Sequence, residues 1–150
     1  MEGKIEISNV GEFVLSGKSL FTLFNKETGN YFTFKVTKIK EEKKSSAADI
    51  WFVSYFSGTE NDADSSYTFF GTIFDNGVFR LSKKKDHLKD KQAVKVFTWF
   101  WELKESLPDQ VKVFHEGRCG RCGRPLTTPK SIMSGYGPSC YKSIFNTTLK

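Results

Sequence analysis

All three cysteines of the chain, Cys119, Cys122 and Cys140, fall in "FHEGRCGRCGRPLTTPKSIMSGYGPSC", residues 114–140. With the preceding histidine the spacing is His115-x3-Cys119-x2-Cys122-x17-Cys140. Two residues between thiolates let both sulfurs face one tetrahedral ion, and the glycines of "CGRCG" let backbone N–H groups approach them. This is the pattern of a zinc knuckle. A closed structural zinc site takes four ligands, and His115 is the nearest candidate for the fourth, ahead of Asp, Glu or water. The rival chemistry is a redox Cys-x-x-Cys, which sits at a helix N-terminus after a strand. Here the pair runs into "GRPLTTP", a poor helix start, and a third cysteine follows at ligand distance. The spacing therefore favours one zinc ion.

The segment "SGYGPSCYKSIF" places Pro138 two residues before Cys140. Proline at a helix start, with the ligand in the first turn, aims the helix's N–H dipoles at the thiolate. A knuckle followed by a ligand at a helix N-terminus is treble-clef-like, and so small a unit draws much of its folding energy from the metal. Arg118, Arg121 and Arg124 recur every third residue through the knuckle, with Lys130 and Lys142 beyond. Three thiolates and a neutral histidine leave Zn2+ at net −1, so one arginine balances the site. The surplus reads as a platform for phosphates, or equally for an acidic protein surface.

These residues must be carried by the elements before them. Short strands fill residues 4–82. "KIEIS" alternates, "LFTLFNKETGNYFTFKVTKIK" is two runs turning at Thr28-Gly29-Asn30, and "IWFVSYF" is apolar on both faces. "EEKKSSAAD" (41–49) reads as a polar loop, and Asn76-Gly77 as a type I′ hairpin turn. The aromatic residues of these strands are core or, alternatively, stacking platforms for single-stranded bases. "KKKDHLKDK" (83–91) is a linker or a phosphate-contacting strip, with His87 on the surface. The period then changes to helical over about residues 91–107, with Ala93, Val96, Phe97, Phe100 and Leu103 on one stripe, Asp90 as N-cap and Pro108 after the last turn. Trp99 and Trp101 widen that stripe into core or into an exposed partner patch.

The fold expected is α+β: an antiparallel aromatic-rich sheet or small barrel with one covering helix over residues 1–110, and a zinc module over 111–150 docked on it. With 150 residues, 15 Phe, 5 Tyr and 3 Trp the chain can build a core. There is no signal-peptide pattern, no apolar run of membrane-spanning length and an odd cysteine count, which together point to a reducing cytoplasm. Residues 1–82 carry a net charge of −2 and residues 83–150 of +8, so the back half suits an anionic partner. No phosphate loop or nucleophile–base motif is present, and a hydrolytic zinc would need an open position and a base such as Glu116, so an enzyme is not expected.

The stretches "LFTLFNKETGNYFTFKV", "YTFFGTIFDNGVFRLS", "AVKVFTWFWELK" and above all "CGRCGRPLTTPKSIMSGYGPSC" resemble a family of small, uncharacterised proteins encoded by phages, prophages and plasmids. The resemblance implies a mobile-element origin and zinc at Cys119, Cys122 and Cys140, without an established activity, and the expected location is the cytoplasm of a bacterial host cell. Nucleic acid, single-stranded for preference, is the expected partner. The alternative is a bacterial host or defence enzyme that the protein inhibits or redirects.

Overall fold

The computed structural model describes residues 5–39, 48–58, 66–126 and 129–147. Among these residues seven strands form one antiparallel sheet: β1 (Ile5–Glu6), β2 (Lys18–Asn25), β3 (Tyr31–Lys38), β4 (Trp51–Phe56), β5 (Tyr67–Ile73), β6 (Phe79–Leu81) and β7 (Val111–His115). Their order is β1-β7-β2-β3-β4-β5-β6. Strands β2 to β6 are a meander, and β7 returns to lie between β1 and β2, pairing Phe21 with His115 and Leu23 with Val113. Among the described residues the sheet is open, not a barrel: its edges are the two-residue β1 and the three-residue β6, which do not pair with one another. The strand expected over 111–114 is thus part of the sheet, which shares it with the cysteine-bearing segment. Most of the polar loop at 41–49 lies outside the described residues.

One face of the sheet makes the core. Phe21, Leu23, Phe34, Val36, Val53, Phe70 and Val113 point to it and are almost wholly buried. It is covered by α1 (Val10–Val14) and α2 (Gln92–Leu103), with a 3-10 turn (Lys83–Leu88) leading into α2. Phe97 of α2 sits among Phe34, Phe70 and Phe79 with ring centroids 5.2, 5.7 and 5.0 Å away. Burying each such ring contributes roughly 1.5–3 kcal/mol, so this cluster orients the helix. The buried side of α2 is Ala93, Val94, Phe97, Phe100 and Trp101. Val94 and Trp101 take the places expected for Val96 and Leu103, because the large indole fits under the β5–β6 hairpin and donates from Nε1 to the Gly77 carbonyl at 2.8 Å. The helix begins after Lys91, not Asp90, and that cap makes no side-chain hydrogen bond.

The hairpin at Asn76-Gly77 exists, but its turn differs from expectation. Only Gly77 has a positive φ, of 83°, and Gly77 N–H donates to Phe74 C=O while Phe74 N–H donates to Val78 C=O. This is a three-residue loop ending in a left-handed glycine. Type I′ would need the left-handed conformation at Asn76 as well.

The second face of the sheet is different. Register places Lys18, Thr37, Phe52, Thr72 and Arg80 in one row across β2 to β6, and Leu20, Lys35, Ser54 and Phe69 in the next. Phe52 is 41% exposed and Tyr31 63% exposed, and Phe24, Phe56, Tyr67, Phe69 and Phe114 are half-buried. Leu20 and Thr22 are buried, Thr22 beneath the Glu116 carboxylate, to which it donates at 2.5 Å.

Candidate metal centre

Strand β7 ends at His115, and the chain turns through Gly117 into a tight loop. Cys119 N–H donates to Arg124 C=O and Gly123 N–H to Cys119 C=O, both at 2.8 Å, and Arg118 bridges to Pro125. Cys119 and Cys122 sit on this loop. The third cysteine arrives on α4 (Pro138–Phe145), which starts with Pro138 after the N-cap Gly137 and carries Cys140 in its first turn, as the sequence suggests. A short helix, α3 (Pro129–Ser134), which the sequence did not signal, folds the chain back between them.

The three sulfur atoms lie within 4.8 Å of one another, Cys119 and Cys140 buried and Cys122 half-buried, and none is in a disulfide. Burial works to raise the Cys119 thiol. The backbone N–H groups of Gly137, Cys122 and Arg121 outweigh it and hold that thiol below its usual value. Burial pushes Cys140 up to about 11, opposed by the Arg121 guanidinium, whose Nη1 is 3.7 Å from its sulfur, and reinforced by the two neighbouring thiols. Three thiols this close cannot all ionise beside one another unaided. A divalent soft cation removes that repulsion, and a set of sulfur donors suits zinc.

His115 is not a fourth member of the group. It is 2% exposed, its Nδ1 accepts from Gly117 N–H at 3.0 Å, and Nε2 is hydrogen-bonded to the Ile132 carbonyl. Both ring nitrogens are thereby occupied, Nδ1 by the turn that follows β7 and Nε2 by α3. Glu116 is likewise turned to Thr22 on the second sheet face. Among the described residues the cluster is three cysteines alone.

Close approach docks this unit on the sheet. Lys18 N–H donates to Gly120 C=O at 2.8 Å and Gly120 N–H to Gly135 C=O at 2.9 Å. A Cβ on Gly120 would lie 2.6 Å from the Phe13 ring, which α1 presents between His115 and Tyr136 at 6.2 and 5.7 Å. The five-residue α1 has too little sequence for helical periodicity to show, so Phe13 as the docking ring could not be read beforehand.

The structure separates the candidate cations. Arg118 Nη1 donates to the Gly123 carbonyl at 3.1 Å and so braces the knuckle, while Arg121 faces the Cys140 sulfur. Arg124, Lys130 and Lys142 have exposed side chains. The tryptophans separate too. Trp101 is 4% exposed and stacked on Phe97, so it is core and leaves the expected patch. Trp99 is 39% exposed and lines a cavity of about 360 Å3 with Leu23, Phe32 and Val96.

A sequence profile described as a family of unknown function, DUF6011, matches residues 112–145, which is the cysteine-bearing segment from β7 to the end of α4. No curated protein and no solved structure matches the chain. No helix among the described residues is long and apolar enough to cross a membrane.

Proposed function

We propose that the protein binds nucleic acid, single-stranded for preference, through a module stapled by one structural zinc ion at Cys119, Cys122 and Cys140, and that it is not an enzyme. The observation that carries this reading is the charge of the module: residues 117–150 contain six Lys or Arg and no Asp or Glu. Solubility alone does not call for so one-sided a surface, since mixed charges serve it equally well. Three thiolates and one Zn2+ leave net −1, which Arg121 at the Cys140 sulfur offsets. Arg124, Lys130 and Lys142 then remain exposed for phosphate oxygens. When bound, the metal supplies folding energy and fixes the geometry of this small unit.

Fluorescence anisotropy of the zinc-loaded protein against single-stranded DNA, RNA and duplex DNA across a salt series tests this. The expected result is an affinity that falls steeply with salt, with Arg124→Ala, Lys130→Ala and Lys142→Ala together reducing the logarithmic salt slope by about 2–3. An unchanged slope in the triple variant refutes the reading.

A second reading has support in Trp99: an exposed indole beside a cavity suits a protein partner, such as a bacterial host or defence enzyme that a mobile-element protein would inhibit or redirect. Binding of that kind changes little with salt and is lost in Trp99→Ala.

A further inference from the structure

The second face of the sheet carries rings in a setting that core packing does not explain. Phe52 and Phe69 lie 5.0 Å apart on neighbouring strands, with Phe56 and Tyr67 5.5 Å apart further along the same two strands. The aromatic cluster that does explain packing, around Phe97, is on the opposite face. Cations are interleaved with the outer rings. The row Lys18–Thr37–Phe52–Thr72–Arg80 has a cation at each end and the exposed Phe52 at its middle, and in the next row Lys35 holds its ammonium 4.7 Å from the centroid of Tyr67. Two carboxylates that the described residues place on this face are engaged. Glu6 is 3.6 Å from Lys112, and Glu116 accepts from Thr22. The row is also continuous with the metal module, because Lys18 is the residue whose N–H bonds Gly120 and whose side chain lies against Gly123.

From this arrangement we infer that this sheet face is a binding site for single-stranded nucleic acid, on which bases stack against Phe52 and Phe69 while Lys18, Lys35 and Arg80 contact the phosphates. The inference rests on the nucleic-acid reading above and adds to it the place, the strand form and the residues. Five adjacent strands about 4.8 Å apart give the row a span of roughly 19 Å, long enough to follow a strand rather than to seat one base. A duplex hides its base faces in the stack, so rings that read π-faces select single strands and tolerate any sequence. The cations at the row's ends answer the charge of the backbone, which a purely apolar partner would leave unpaired. From the module, the strand would pass over Lys18 onto the sheet, so the two cationic surfaces act on one ligand.

The test uses the full-length zinc-loaded protein, a labelled short oligothymidylate and a mixed-sequence DNA duplex, with anisotropy read across salt and sedimentation run in parallel. Phe52 is 41% exposed and paired across strands with Phe69, so Phe52→Ala lowers the unfolding midpoint only by the loss of one cross-strand pair and the variant stays folded. It is expected to weaken oligothymidylate binding by about 5- to 150-fold with the salt slope preserved, while duplex binding stays as it was. Phe52→Tyr restores the affinity. Lys18→Ala with Lys35→Ala lowers the slope by about 1–2. If Phe52→Ala binds oligothymidylate as the wild type does while the Arg124, Lys130 and Lys142 variant loses binding, the sheet-face site is wrong and the nucleic-acid reading survives. If the wild type binds neither probe, both fail. If Phe52→Ala instead converts a dimer to a monomer, the face is covered by a second copy of the chain and the inference is overturned.

Discussion

Placing a single methyl group at Gly120 tests whether the cysteine-bearing segment is packed on α1 as the geometry requires. An ideal Cβ there meets Phe13 Cε2 at 2.6 Å, Ser16 Oγ at 2.7 Å and Phe13 Cδ2 at 2.9 Å. Carbon atoms in contact prefer about 3.5–4.0 Å, so the ring or the knuckle must retreat by about 1 Å. Phe13 has little room to give: it is 1% exposed, with His115 and Tyr136 beside it. Ser16 is held as well, its hydroxyl donating to the Phe13 carbonyl at 2.6 Å. Overpacking of this kind costs about 1–3 kcal/mol. The glycine is not required by its own backbone, since its φ is not among the left-handed values. The competing term therefore has the opposite sign, because alanine at a compatible position stabilises by about 0.4–1 kcal/mol through the unfolded chain. Urea unfolding of zinc-loaded Gly120→Ala, followed by circular dichroism, should show a midpoint lowered by that difference with zinc content retained. Phe13→Leu in the same chain, which empties the space the methyl needs, should make the two substitutions non-additive in the favourable direction. A midpoint that stays or rises in the single variant refutes the close packing.

The ligand set gives a contrast. Cys122→Ser should lose stoichiometric zinc by elemental analysis, whereas His115→Gln should keep it while losing about 1–3 kcal/mol, because the imidazole holds Gly117 and Ile132 and not the ion. Zinc retained in the first or lost in the second would invert the assignment. The two tryptophans should part company in thermal unfolding: Trp101→Ala costs about 3–5 kcal/mol as a core truncation, and Trp99→Ala less than about 1 kcal/mol. Tyr136 is pushed up to about 12 by burial, with the charges of Glu12 and Cys119 adding to it. The unfolded phenol ionises first, near 10, so the unfolded state binds fewer protons between those values. Stability contributed by the neutral ring is whole below pH 10 and falls as pH rises toward 12, with a slope of up to about 1.4 kcal/mol per pH unit that Tyr136→Phe should remove. An identical slope in that variant would place its origin elsewhere.

The cysteine cluster was legible in sequence because its geometry is local. Cys-x-x-Cys-Gly fixes two sulfurs on one turn, and proline followed by cysteine fixes the third at a helix start, whatever the rest of the chain does. His115 misled for the same reason. Nearness in sequence put it beside the ligands, but it is the last residue of a strand, and its pairing with Phe21 and Ile5 aims it at the core face. The meander could be read from alternation, since period two belongs to each strand separately. The position of β7 between β1 and β2 could not, being a long-range choice that no turn signals. The same holds for the aromatic residues: alternation says that Phe52 and Val53 face opposite ways, but only the placement of α1 and α2 decides which of the two faces is covered.

That placement gives the shared strand its consequence. β7 is both the lead-in to the knuckle and an interior strand of the sheet, and among the described residues it is the strand through which β1 joins the sheet. The knuckle returns the connection by accepting Lys18 N–H at the start of β2, where the row of Lys18 and Phe52 begins. A metal that folds the knuckle would therefore order one end of the aromatic face. On chelation, amide exchange should quicken at Lys18 and Gly120 and along β1, while the amides of β3 to β5 under Phe97 stay protected, because their burial does not involve the metal. Affinity for oligothymidylate should drop in parallel. Chelated protein that keeps both its protection at Lys18 and its affinity would show that the knuckle is only appended to the sheet, and that the two surfaces do not act on one strand.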